Sequence, residues 1–216
     1  MNEYKTKGLI LTKTGFGEND LIFDLLSENG ERVSFFVRGG RKIKSKFAGT
    51  IQIGNFVKIS FSKGKNFNYP KEIAIQTNLI FDFYSKSIEG MNFFADIIQI
   101  CKCISKDFNS EIIYTQTVKA FISAQLQKML AEAYIDFLIT ILHDLGFNTG
   151  IVDSISGEEI REKEFYYHPE TNKVFLKQNK PKSFDLPLIK KDLIFTKNYV
   201  QKIFNANINH YIRLKF

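Results

Sequence analysis

Side chains able to do chemistry are scarce in this chain and lie far apart. Its three histidines, His143, His168 and His210, fall in separate predicted elements, and its two cysteines, Cys101 and Cys103, stand two residues apart. On a helix that spacing turns the side chains about 200° from each other, so the thiols cannot clamp one metal ion or found a disulfide framework. The paired acids Glu158 and Glu159 lie in a charged stretch without a partner to set one of them up as a proton donor. The motifs GxxxxGK[ST], GxGxxG after a strand, HExxH and CxxC do not occur. No catalytic group assembles and no cofactor or metal is called for, so the chain reads as a binder and not an enzyme. What is concentrated is positive charge. The stretch "RGGRKIKSKF", Arg38 to Phe47, carries Arg38, Arg41, Lys42, Lys44 and Lys46 with no acid among them. Each such cation can neutralise a phosphate and release a condensed counterion, and Gly39 and Gly40 would let a backbone approach closely.

The charge of the whole chain is +7, but it is unevenly spread: +6 over residues 1–77, −7 over 78–172 and +8 over 173–216. A basic front and a basic tail around an acidic middle point to an anionic partner at the two ends, with the middle left for packing or protein contacts. With 216 residues and 44% hydrophobic composition there is material for one large domain or two small ones. No apolar run approaches the roughly 20 residues that cross a bilayer, and the start "MNEYKTKGLI" is unlike a signal peptide. The expected location is the cytoplasm, in association with the nucleoid.

The elements that must position the cations are strands. Lys7–Thr14, Asp20–Ser27, Arg32–Gly39, Asn55–Ser62 and Glu72–Thr77 are short, rich in Val, Ile and Phe, and mostly alternate in polarity. Turn signals separate them at 15–19, 28–31 and 62–70, with the basic loop after the third strand. Five strands with a long connection after the third fit a five-stranded OB-fold barrel, a class that commonly binds nucleic acid. From about Leu79 apolar residues recur at three and four, which predicts helices over 79–105, 112–146 and 189–204. The second run is long enough to break near Ser123–Lys128, and Gly146 is placed as its C-cap. Within 148–182, "EFYY" and "VFLK" around "ETNK" predict a hairpin. The expected fold is therefore α+β: a barrel domain over 1–77, then a mainly helical domain over 78–216 with a small hairpin subdomain.

Such a barrel binds a single strand through a cationic track and aromatic platforms. Alternation in "VSFFVR" puts Ser34, Phe36 and Arg38 on one face and Val33, Phe35 and Val37 on the other. If Arg38 faces outward so does Phe36, which makes it a candidate base-stacking platform, while core packing is the alternative for any Phe in so Phe-rich a barrel. Lys63 and Lys65, after the fourth strand, would extend the track.

The residues Gly8 to Gly49, "GLILTKTGFGENDLIFDLLSENGERVSFFVRGGRKIKSKFAG", resemble the amino-terminal region of the RecO family of bacterial DNA repair proteins. The shared pattern is an apolar strand, Gly-x-x-Asp, a strand, a glycine turn and Gly-x-Arg-Lys-x-x-Ser, met here by Glu18, Asp20, Gly30, Gly40, Arg41, Lys42 and Ser45. Over the rest of the chain the resemblance is looser, a helical pattern and "LG" at 145–146. The resemblance implies recombinational repair: binding of single- and double-stranded DNA, annealing of complementary strands, and work with RecR and single-strand-binding protein to load the RecA recombinase. Many members carry a four-cysteine zinc site after the "LG" helix. Here Asp153 and Ser156 stand where the first cysteine pair is expected, so the hairpin must be held by packing of Phe165, Tyr166, Tyr167, Val174 and Phe175 instead of zinc. The acidic, apolar carboxy-terminal tip that the resemblance attributes to single-strand-binding protein would suit a groove between helices rimmed by cations. Lys119 and Lys128, or the tail lysines Lys190, Lys191, Lys197 and Lys202, are the candidates. A second reading, from the residues alone, is an OB-barrel adaptor whose basic loop meets an acidic peptide.

Overall fold

The computed structural model describes residues 3–77, 84–106, 110–127, 130–147, 154–160, 164–168, 173–179, 188–190 and 202. Five strands, β1 (Tyr4–Phe16), β2 (Asp20–Ser27), β3 (Arg32–Val37), β4 (Phe56–Lys63) and β5 (Asn68–Thr77), close into a barrel in the order β1-β2-β3-β5-β4, with β4 returning to β1. All neighbours are antiparallel except β3 and β5. This is the expected OB-type barrel. Alternation builds it: Leu21, Phe23 and Leu25 of β2 and Phe35 and Val37 of β3 point inward, with Ile10, Val57, Ile59 and Phe61 completing the core. β5 begins earlier than expected, at Asn68 instead of Glu72. Pro70 is accommodated because it stands opposite Phe61, where a register shift interrupts the β4–β5 ladder.

The chain divides into two compact units, Met1–Leu130 and Ala131–Phe216. In the first, two helices, α1 (Ile88–Ile104) and α2 (Glu111–Gln127), join the barrel. Ser87 caps α1 by accepting from the Gly90 N–H at 2.9 Å. Gly8 to Leu11 are all buried, in place of the alternation of a half-exposed strand, because β1 has the barrel core on one side and α1 on the other. An aromatic wedge fastens the layers: Phe56 of β4 meets Tyr114 and Phe121 of α2 edge-on, and the buried Tyr84 donates to the Phe121 carbonyl at 2.7 Å. Cys101 and Cys103 are both buried and free. Burial pushes the Cys101 thiol up to about 12, and its sulfur sits 3.0 Å from the Thr117 hydroxyl, so it joins α1 to α2 as a packed group.

The second unit holds α3 (Leu130–Asp144), two hairpin strands, β6 (Glu164–His168) and β7 (Lys173–Phe175), and a third strand, β8 (Leu188–Lys190). α3 ends as foreseen at Gly146, whose φ is +84°. The Gly146 N–H bonds the His143 carbonyl and the Phe147 N–H the Leu142 carbonyl, the paired closure of a Schellman motif. The hairpin is held by buried Phe165, Val174 and Phe175; Tyr166 is half-buried, and the side chain of Tyr167 lies outside the described residues. Ile189 and Lys190 correct the helical reading of 189–204: they form β8, with Ile189 opposite Phe165. Pro187 disfavours helix in the residue before it and cannot donate to one, and Leu188–Ile189 then find an open edge of β6. Among the described residues no group of three His, Cys, Asp or Glu could hold a metal ion. Asp153 lies outside them, and Ser156 sits in an exposed turn.

On the barrel's outer face Asp24 ties three strands together. It accepts from Thr12 of β1 at 2.8 Å, from Ser34 of β3 at 2.6 Å and from the Arg32 guanidinium, which also reaches the Lys102 carbonyl at the end of α1. Burial by itself would raise the Asp24 carboxyl, but the hydrogen bonds from Ser34, Arg32 and Thr12 outweigh it and hold the group below the ordinary carboxylate value. A depressed folded-state value means that the stabilisation is present in full above about pH 4 and is lost as pH falls through the folded value. Asp24→Asn is therefore expected to lower stability at pH 7 by about 2 kcal/mol and by progressively less in acid. Chemical denaturation at pH 7 and pH 3 checks this; an equal loss at both would show that the charge is not the stabilising feature.

Candidate nucleic-acid interface

The basic stretch leaves the barrel after β3 and is pinned at both ends. At its start the Gly39 N–H donates to the Asp20 carboxylate at 2.8 Å, and the Arg41 N–H to the Asn19 carbonyl at 2.9 Å. At its end Phe47 and Ile51 turn back into the barrel core and are 7% and 1% exposed. Between these anchors successive turns, Lys42 to Gly39, Ser45 to Lys42 and Ala48 to Ser45, hold the loop in shape. The excursion is thus a structured rim and carries its cations at defined positions.

Arg38, Arg41, Lys42, Lys44 and Lys46 are all exposed, as are Lys63 and Lys65. Their engagement differs. The Arg41 guanidinium lies along Gly15 and donates to the Gly17 carbonyl at 2.9 Å, which fastens the β1–β2 turn to the loop. Lys46 donates to the Lys71 carbonyl at 2.9 Å and covers the Phe47 ring, and Lys63 covers the Tyr4 ring at 4.5 Å. Arg38, Lys42, Lys44 and Lys65 project without a hydrogen bond or ion pair to any described residue.

The two glycines open the turn that begins the loop. The Gly39 amide is taken by Asp20 and the Gly40 amide by the Val37 carbonyl at 3.2 Å, so neither is offered to a phosphate. Gly39 supplies a left-handed φ of +64° for the turn. Gly40 is buried, and a Cβ there would stand 2.7 Å from the Leu21 Cβ. Both glycines shape the loop.

Phe36 does face outward while Phe35 is fully buried. It is half-buried because it is the hub of an aromatic cluster on the outer wall. Phe16 lies 5.6 Å from it at 79°, Tyr69 6.0 Å at 73° and Phe67 5.9 Å at 38°. Phe16 is 53% and Tyr69 39% exposed. Sequence reading missed Phe16, Phe67 and Tyr69. Alternation past Thr12 could have marked Phe16 as outward, since Thr12 and Phe16 share a face beyond the β1 bulge at Ile10/Thr12. Nothing local could have brought residues 67 and 69 beside Phe36.

Of the predicted partner lysines, Lys119 is exposed on α2, between the exposed Ile112 and Ile122, and Lys202 is exposed. Lys190 belongs to β8, and nothing is described of its side chain. Lys128, Lys191 and Lys197 lie outside the described residues.

A closed five-stranded barrel with a cationic loop after its third strand, followed by helices, defines an OB-type barrel protein. Residues 1–77 match the family described as "Recombination protein O N terminal". The similarity to the RecO family thus lies in this amino-terminal domain. It is 29% identical over 171 residues to the "DNA repair protein RecO" of Thermodesulfovibrio yellowstonii, a match covering 76% of this chain and 66% of that protein. The proteins of the same name from two strains of Dehalococcoides mccartyi are 34% and 33% identical over 64 residues, covering 30% of this chain and 25% of each of them. The chain thus spans just under two thirds of the length of the first of these relatives and a quarter of the others.

Proposed function

We propose that the protein is a non-enzymatic DNA binder of recombinational repair that brings complementary strands together. The observation that carries this is the structured cationic rim, Arg38 to Lys46, fixed by Asp20 on one side and by Phe47 and Ile51 in the core on the other. The amino-terminal family match and the relatives' name, DNA repair protein, support the biological setting. Annealing needs no nucleotide hydrolysis. A basic surface that screens phosphate repulsion while leaving base edges free raises the encounter rate of two strands. In this reading the chain binds single- and double-stranded DNA and acts with RecR and single-strand-binding protein to load RecA. The exposed Lys119 with Ile112 and Ile122 on α2 suits an acidic, apolar peptide tip.

Annealing of two complementary oligonucleotides, followed by fluorescence quenching, is expected to run at least about tenfold faster with the protein than without it at low salt, and to slow as salt rises. The acceleration should persist on strands coated with single-strand-binding protein. A protein that binds an acidic peptide but accelerates no annealing would favour the adaptor reading instead.

A further inference from the structure

Resting on the reading of the protein as a DNA binder, we propose that the outer-wall cluster Phe16, Phe36, Phe67 and Tyr69 is a stacking platform for unpaired bases, and that it makes this interface selective for single-stranded DNA. The cluster joins the two cationic groups. On one side the Arg41 guanidinium is bonded to the Gly17 carbonyl, next in chain to Phe16, and Arg38 follows Phe36 by two residues. On the other, the turn carrying Lys63 and Lys65 closes through a bond from the Gly64 N–H to the Phe67 carbonyl and leads directly into Tyr69. A strand whose phosphates follow these cations passes over the rings.

The rings are built to stay in place and open. Phe36 is held by the β2–β3 ladder opposite Ile22 and buttresses three neighbours, yet Phe16 and Tyr69 keep 53% and 39% of their surface in water. Grouped, exposed aromatic surface beside unpaired cations is the combination that single strands use, because every base offers a π face and the charge term is indifferent to sequence. A duplex meets the same cations through its phosphates but has its base faces already stacked on one another. The cationic loop therefore binds either form, and the rings discriminate between them.

Fluorescence anisotropy with the full chain separates the two contributions by using an oligothymidylate, an abasic oligonucleotide of the same length, and a duplex. The wild type is expected to prefer the thymidylate over the abasic strand by about tenfold or more. Phe16→Ala with Tyr69→Ala should remove most of that preference and leave abasic-strand and duplex affinity unchanged, whereas Phe16→Tyr with Tyr69→Phe, which keep both rings, should retain it. Equal wild-type affinity for thymidylate and abasic strands would overturn the stacking platform while leaving DNA binding intact. So would a loss in the Ala variant that is the same on all three ligands. Failure of the wild type to bind any of the three would overturn the DNA-binding reading and the platform with it.

Discussion

Replacing Arg41, Lys42 and Lys44 together by alanine is expected to weaken single-strand binding about 100-fold at 0.1 M salt and to reduce the salt slope by about 2. Counterion release sets both numbers. Each phosphate contact on a single strand contributes a slope of about 0.7, which is about fivefold in affinity at 0.1 M, and three contacts multiply. The loss should be the same on every sequence, because none of these cations is positioned as a base reader. The fold should survive. The loop's backbone anchors, Gly39 to Asp20, the Arg41 N–H to Asn19 and the inserted Phe47 and Ile51, do not involve the three side chains. Arg41 alone has a second task in its bond to the Gly17 carbonyl, so Lys42→Ala with Lys44→Ala, which leaves that bond in place, should still lose about 20-fold. Titrations at several salt concentrations measure the slope, and a triple variant that binds as tightly as the wild type at 0.1 M would remove the loop from the interface.

The second large effect is on stability. Phe35→Ala is expected to cost about 3–5 kcal/mol. Its ring is fully buried, stacked on Phe23 at 5.0 Å and 13° and met edge-on by Phe61 at 5.2 Å, so truncation leaves a hole in the middle of the barrel that closed strands cannot collapse to fill. Phe36→Ala, one residue along, removes an outward ring and should cost less than about half as much. Urea unfolding of the two variants checks the pair, and Phe36→Ala as costly as Phe35→Ala would show that the outer cluster serves the fold and not a ligand. The contrast between these neighbours is a property of the strand: successive side chains go to opposite faces, one to the core and one to the outer wall.

That alternation is also why so much was legible before any coordinates. Strand and helix periods are local, so the five strands, the Gly146 cap and the sidedness of Phe35 and Phe36 follow from residues within a few positions of one another. Charge is local too, and the density of cations in Arg38–Lys46 names the rim without a fold. β8 was not legible, because Leu188–Lys190 becomes a strand only where β6 offers an edge to pair with, and the same residues fit a helical period equally well. Nor was the use of Gly39 and Gly40, whose amides are claimed by Asp20 and Val37 once the turn closes. The aromatic platform depends most on tertiary structure. Phe16, Phe36, Phe67 and Tyr69 come from three strands and a turn, and they meet because closing the barrel sets β3 beside β5, a neighbour relation that no local pattern encodes. By itself the sequence determined which residues face outward and where the charge lies; which outward residues become one surface was decided by strand order.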